Sequence, residues 1–191
     1  MQATFEAFDY DFNSSILPAP ALRDLASCRF IEQRRNLVLA GPPGIGKSHI
    51  AQAIGHEAAR RGIDVACFKT HKLLDRITPE SMTTRRTQNL LNRCLVSGLL
   101  ILDDFAFRSY SQRETELPYT LADERLNAGS IIVTSNKPPE DWYTVFPDPV
   151  VGGAVMDRLV SGAMKFIVTA GRSYRKEGAK WLTNQQNPAT A

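Results

Sequence analysis

Residues 36–61 read Asn36-Leu-Val-Leu-Ala-Gly-Pro-Pro-Gly-Ile-Gly-Lys-Ser-His-Ile-Ala-Gln-Ala-Ile-Gly-His-Glu-Ala-Ala-Arg-Arg61, and this stretch decides the fold. Its middle, Gly41 to Ser48, completes the pattern G-x-x-x-x-G-K-[ST]. A short apolar run precedes it, and an amphipathic segment with Ile50, Ile54 and Ala58 at i, i+4 and i+8 follows, stopped by Gly62. Strand, glycine loop, then helix is the context the pattern needs. The glycines let successive backbone N–H groups turn inward, and the helix N-terminus adds partial positive charge, so the loop suits phosphate oxygens. The nucleotide-binding residues expected are Gly41, Pro42, Pro43, Gly44, Ile45, Gly46, Lys47, Ser48 and the adjoining His49. Lys47 is expected on the β- and γ-phosphates of a nucleoside triphosphate and the Ser48 hydroxyl on Mg²⁺.

Four more apolar runs lie downstream: Val65–Phe68, Leu99–Leu102, Ile131–Thr134 and Phe166–Thr169. They are continuous rather than alternating, as in parallel strands covered on both faces. The intervening stretches are long enough for crossover helices, the clearest being Ser48 to Arg61 and a second spanning Thr84 to Val96 with Leu90, Leu91 and Leu95 on one side. The expectation is one α/β domain of doubly wound type. Residues 1–20 read as an aromatic arm or linker, residues 21–183 as the domain, and the polar stretch 184–191 as a disordered tail. Phe5, Phe8, Tyr10 and Phe12 in the arm read either as anchors against the core or a neighbour, or as stacking partners for a base.

Two further motifs fall at strand ends. Leu99-Leu-Ile-Leu-Asp-Asp104 puts two carboxylates where a buried strand emerges, with Asp103 expected on Mg²⁺ and Asp104 orienting and activating the attacking water. Val133-Thr-Ser-Asn136 ends the next strand. By spacing alone, Asn136 either polarises the water and reads the γ-phosphate or opens the turn into Lys137-Pro138-Pro139.

Taken in order, the phosphate loop, LLILDD, VTSN, Asp157-Arg-Leu159 and Gly171-Arg-Ser-Tyr-Arg175 resemble the AAA+ module of the IstB/DnaC group, closer to the IstB transposition helpers. Phe8–Asn13, Leu25–Phe30, Gly129–Pro138, Asp141-Trp142 and Val145-Phe146 add to the resemblance, which covers roughly residues 5–182. It implies a P-loop NTPase three-layer sandwich with a parallel five-stranded sheet in the order 5-1-4-3-2. It also implies Asn136 as the residue sensing the γ-phosphate, Arg175 as a second sensor and Arg158 as an arginine finger reaching a neighbouring subunit. The local alternative for Arg158 is a salt bridge with Asp157 or a glutamate. The implied activity is slow ATP hydrolysis in a homo-oligomer on duplex DNA, assisting a transposase. A helicase loader of the DnaC type and a nucleotide-gated DNA scaffold are the rival readings. Many relatives carry Glu at the Asp104 position, and many have a small N-terminal domain ahead of the ATPase, whereas this chain begins almost at the ATPase.

Composition adds exclusions. Among 191 residues, 23 Lys and Arg face 20 Asp and Glu, a formal charge of +3, too weak to mark a nucleic-acid binder. The segment from Lys69 to Arg93 is different: Lys69, Lys72, Arg76, Arg85, Arg86 and Arg93 face only Asp75 and Glu80, a local +4. These six are the expected DNA contacts, sequence-independent and salt-sensitive; a solvated helical face is the plain alternative. No apolar run approaches the ~18 residues of a membrane span, the acidic, aromatic start is not a signal peptide, and Cys28, Cys67 and Cys94 lack metal-site spacing. A cytoplasmic location is expected.

Overall fold

The computed structural model describes residues 3–177 apart from Ser15 and Leu17. The expected tail at 184–191 and the expected domain end at 183 therefore lie outside the described residues. Five parallel strands, β1 (Leu37–Ala40), β2 (Val65–Lys69), β3 (Leu99–Asp103), β4 (Ser130–Ser135) and β5 (Met164–Ile167), form one sheet in the order β2-β3-β4-β1-β5. This is the expected order 5-1-4-3-2 read from the other edge.

Alternation along the strands divides the core into two layers. Leu37, Leu39, Leu99, Ile101 and Ile132 face one side, where they meet helix α1 (Ala19–Ala26), the short α2 (Arg29–Glu32) and α3 (Lys47–Arg60). Val38, Ala40, Leu100, Leu102, Ile131 and Val133 face the other, against α4 (Thr70–Leu74), α5 (Arg85–Val96), α6 (Glu116–Glu124) and α7 (Pro149–Val160). Burying each Leu or Ile contributes on the order of 1.5–3 kcal/mol, and the central strands β1, β3 and β4 are buried at every position. Among the described residues no helix is long and apolar enough to cross a membrane.

Two local expectations are corrected. The fifth strand is Met164–Ile167, two residues earlier than Phe166–Thr169. It is an edge strand, so Met164 and Phe166 are half-buried while Lys165 and Ile167 are exposed, and the continuous-run signal fails there. Edge strand β2 is likewise covered only in part. The second helix begins at Arg85, because Thr84 is its N-cap and accepts a hydrogen bond from the Thr87 N–H at 3.3 Å. The aromatic arm packs as its anchor reading expected: Phe5 is buried in the α1–α3 layer, with Phe8, Tyr10 and Ile16 packed against that layer.

At the strand-start end of the sheet, the fully buried Arg125 donates to the Cys94 and Leu95 carbonyls closing α5 and to the Ser130 carbonyl opening β4, at 2.7, 2.9 and 2.9 Å. A cation there meets the negative end of the helix dipole and joins α5, α6 and β4.

Candidate nucleotide site

The loop between β1 and α3 has the conformation its glycines permit. Gly44 (φ +86°) and Gly46 (φ +106°) are in the left-handed region, where a side chain on Gly44 would collide with Ser173 and one on Gly46 would meet the Phe8 ring. The loop carbonyl of Gly44 accepts from the Tyr174 N–H at 3.0 Å, tying it to the C-terminal segment. A cavity of about 530 Å³ opens over the loop, within the range of nucleotide-sized sites.

Pro43, Gly44, Ile45, Gly46, Lys47, Ser48, His49, Asp104, Asn136 and Arg175 all line this cavity, as does Lys69. Gly41 and Pro42 stand behind it, giving their carbonyls to the Lys47 ammonium at 2.7 and 2.8 Å. The third Lys47 donor goes to Asn136 Oδ1 at 2.8 Å, so the ends of β1 and β4 meet at one cation. Burial pulls the Lys47 ammonium down to about 8, offset by the charges of Asp104 and Asp103, with Arg175 adding to the depression. A buried cation held only by neutral oxygens favours an arriving polyanion.

Asp103 closes β3 and is almost fully buried, with one side-chain hydrogen bond: Thr134 Oγ1 donates to its Oδ1 at 2.6 Å. Asp104 follows in the left-handed region (φ +57°), which Asp and Asn enter more readily than other side chains. The Asp104 side chain meets Lys69 Nζ at 2.9 Å.

Several residues lie away from the cavity. Arg158 Nε donates to Asp123 Oδ1 at 2.6 Å, its Nη1 to the Ala154 carbonyl, and its guanidinium sits 5.1 Å from the centre of the Tyr119 ring. The Asn36 amide holds the Arg158 carbonyl at 3.2 Å, so Arg158 belongs to the strand-start end. The five steps along the chain from Asn36 to Gly41 span roughly 16 Å, and Arg158 does not line the cavity of its own chain. Its partner is Asp123, not Asp157: successive side chains on a helix do not face one another.

The basic segment is spread out. Lys69 is in the cavity. Lys72 is on α4, Arg76 follows it, and Arg85, Arg86 and Arg93 are on α5, all exposed. Because α5 runs back toward the start of β3, Arg93 is roughly 12 Å along its axis from Arg85. Arg86 and Arg93, seven apart, share one stripe. Of the six, Lys69 alone lines the nucleotide cavity.

Sequence reasoning missed Thr134, the wall made by Asn13 and Tyr174, and the pairing of Lys69 with Asp104. Phe8, Asp9, Phe12 and Asn13 line the cavity, with the Phe8 ring 5.4 Å from that of His49 and His49 Nε2 2.8 Å from the Thr4 carbonyl. Asn13 is bound reciprocally to Arg172, its Nδ2 donating to the carbonyl at 3.1 Å and its Oδ1 accepting the N–H at 3.2 Å. The Arg172 guanidinium covers Phe12 at 4.5 Å, and Phe12 meets Tyr174 edge-on. The arm and the C-terminal segment thus close over the loop together.

A phosphate loop on a 2-3-4-1-5 parallel sheet, acids ending the strand beside the one that carries Asn136, and arginines on later elements define a P-loop NTPase of the AAA+ class. A family model described as IstB-like ATP binding protein matches residues 1–180, and the chain belongs to that family. It is 39% identical over 175 residues to an ATP-binding protein in an insertion sequence of Mycobacterium tuberculosis, covering 91% of this chain and 68% of that protein. It is 33% identical over 188 residues to the insertion sequence IS21 ATP-binding protein of Pseudomonas aeruginosa, covering 97% and 70%. Solved structures share the fold: a DNA replication initiation factor (TM-score 0.72, 21% identity) and the DnaC helicase loader (TM-score 0.67, 23% identity). The first match covers 97% of this chain but 55% of that structure; the second covers 78% and 87%.

Proposed function

We propose that this protein is a cytoplasmic ATPase that assembles on DNA when it binds ATP and Mg²⁺ and assists a transposase. The observation that carries the reading is the meeting of Lys47, Asn136, Asp104 and Arg175 around one cavity over the phosphate loop. Residues 21–183 make up the ATPase module, and the arm before them supplies one wall of the site. Phe8 and Phe12 offer aromatic faces to the base, while loop N–H groups and Lys47 take the phosphates.

The donor set fits Mg²⁺. No group of three or more His, Cys, Asp or Glu could hold a metal among the described residues, yet Asp103 is a buried carboxylate with no cationic partner among the ion pairs there. Mg²⁺ commonly takes one or two protein oxygens and completes its shell with nucleotide phosphates and water. Ser48 and Asp103 would hold it, and it would neutralise charge on the β- and γ-phosphates. Asp104 accepts a proton from the attacking water, and Asn136 orients that water or the γ-phosphate. Arg175 meets the triphosphate from within the same chain. Arg158, too distant for that, serves a neighbouring copy, where a guanidinium spreads the developing charge.

On the DNA side, Lys72, Arg76, Arg85, Arg86 and Arg93 contact phosphates without reading sequence. Multiple-turnover phosphate release, with and without duplex DNA, tests the enzyme reading: Lys47→Ala should lose nucleotide binding, and Asp104→Asn should bind but turn over at least tenfold more slowly. Undiminished turnover in Asp104→Asn removes the proposed base. One observation favours a second reading, a nucleotide-gated scaffold with negligible hydrolysis: Lys69 engages the carboxylate that would activate water. Phosphate release at background level despite tight ATP binding would select it.

A further inference from the structure

Two aspartates in succession are asked to do different work, yet nothing in their chemistry distinguishes them. Their surroundings do, through one side chain. Thr134, fully buried on β4, is in contact with three consecutive residues at the end of β3. Its hydroxyl hydrogen goes to Asp103 Oδ1 at 2.6 Å, its hydroxyl oxygen accepts the Asp104 N–H at 3.0 Å, and its carbonyl accepts the Phe105 N–H at 2.8 Å.

We propose that Thr134 is a positioning residue that holds Asp103 and Asp104 in separate roles. This rests on the nucleotide-site reading above. A hydroxyl has a single hydrogen, so its donation to Asp103 Oδ1 commits that oxygen as an acceptor and leaves Oδ2 for a cation. The paired strands keep register through Leu102 and Val133, after which Asp104 turns into the left-handed region. At that turn, its N–H needs a new acceptor, and an unpaired buried N–H is costly. Thr134 Oγ1 supplies one, fixing the backbone from which the Asp104 carboxylate swings into the cavity. One hydroxyl thereby orients the first carboxylate toward Mg²⁺ and the second toward the nucleophile.

Groups that orient a metal-binding carboxylate without touching the metal are commonly worth about 10–100-fold in metal affinity or rate. Thr134→Val keeps the shape and removes both hydroxyl bonds; Thr134→Ser keeps the hydroxyl. Fluorescent ADP affinity should be measured with Mg²⁺ and with EDTA, alongside thermal midpoints and the Asp104 amide signal by NMR. Thr134→Val is expected to retain the EDTA affinity within about twofold, to lose on the order of tenfold of the Mg²⁺-dependent gain, and to shift the Asp104 amide. Thr134→Ser should restore both. A Thr134→Val protein with the full Mg²⁺ gain and an unmoved amide overturns the proposal. The same holds if Thr134→Ser, folded to the same midpoint, fails to rescue. A wild-type protein indifferent to Mg²⁺ overturns instead the cation reading of the site, and the proposal with it.

Discussion

Lys69 Nζ lies 2.9 Å from Asp104 Oδ2, joining the last residue of β2 to the residue that follows β3. Lys69 was expected among the DNA contacts, but its charge is directed into the nucleotide site. While the pair holds, the Asp104 carboxylate is less available to take a proton from water. Both side chains are partly exposed, so the pair is worth no more than about 1 kcal/mol, which bounds its effect on the free population at roughly fivefold. Lys69→Ala should therefore raise basal phosphate release two- to fivefold. Unchanged or slower release would mean that Lys69 does not restrain Asp104.

The clasp over the cavity predicts a kinetic effect. Asn13 and Arg172 join segments 159 residues apart through two backbone-directed hydrogen bonds, each worth about 1 kcal/mol. Losing both in Asn13→Ala should speed dissociation of a fluorescent nucleotide by up to about thirtyfold, with association little changed. Stopped-flow displacement reads this directly. A dissociation rate equal to wild type would show that the arm is not part of the retaining wall.

Acid stability should depend on the segment that follows Asp104. Arg108 bonds Glu114 in a two-pronged pair, and Ser111 caps the same carboxylate. The Arg108 guanidinium is the main reason the Glu114 carboxyl falls to about 2. A depressed carboxyl contributes stability above its unfolded value near 4.5 and loses it as pH falls toward 2. Because Arg108 is partly exposed, the contribution is only about 1 kcal/mol. Glu114→Gln should be less stable than wild type by that amount at pH 7, in urea unfolding, with the gap closing between pH 4.5 and 2. A gap of the same size at pH 2 would rule out the ionic origin.

The Arg86–Arg93 stripe on α5 should carry salt-sensitive DNA affinity. Arg86→Glu with Arg93→Glu should lower duplex affinity at least tenfold at low salt and flatten its dependence on log salt, while ATP binding stays within twofold. Equal binding by fluorescence anisotropy at low salt would remove α5 from the DNA path.

Much of the fold was legible because its informative segments are local. The phosphate loop, the apolar runs of β1, β3 and β4 and the stripe of α3 each show in a few adjacent residues. The fifth strand was misplaced because Lys165 interrupts the run on an edge, while Val168, just past the strand, is buried against the phosphate loop and extends the apolar signal. The site was legible where a strand end carries an unusual residue, as with Asp103, Asp104 and Asn136. Thr134 was not, since a threonine in a strand is ordinary until the register of β3 and β4 brings it against two aspartates. The Asn13–Arg172 clasp likewise depends on a contact that no local window contains.

The central claim is that nucleotide binding drives assembly on DNA, with Arg158 serving the next copy. Sedimentation velocity with a non-hydrolysable ATP analogue and Mg²⁺, with and without duplex DNA, tests it for wild type and Arg158→Ala. The account predicts a large oligomer for wild type with analogue and DNA together, and its loss or marked weakening in Arg158→Ala with nucleotide binding intact. A wild-type protein that remains a monomer under every condition would contradict it.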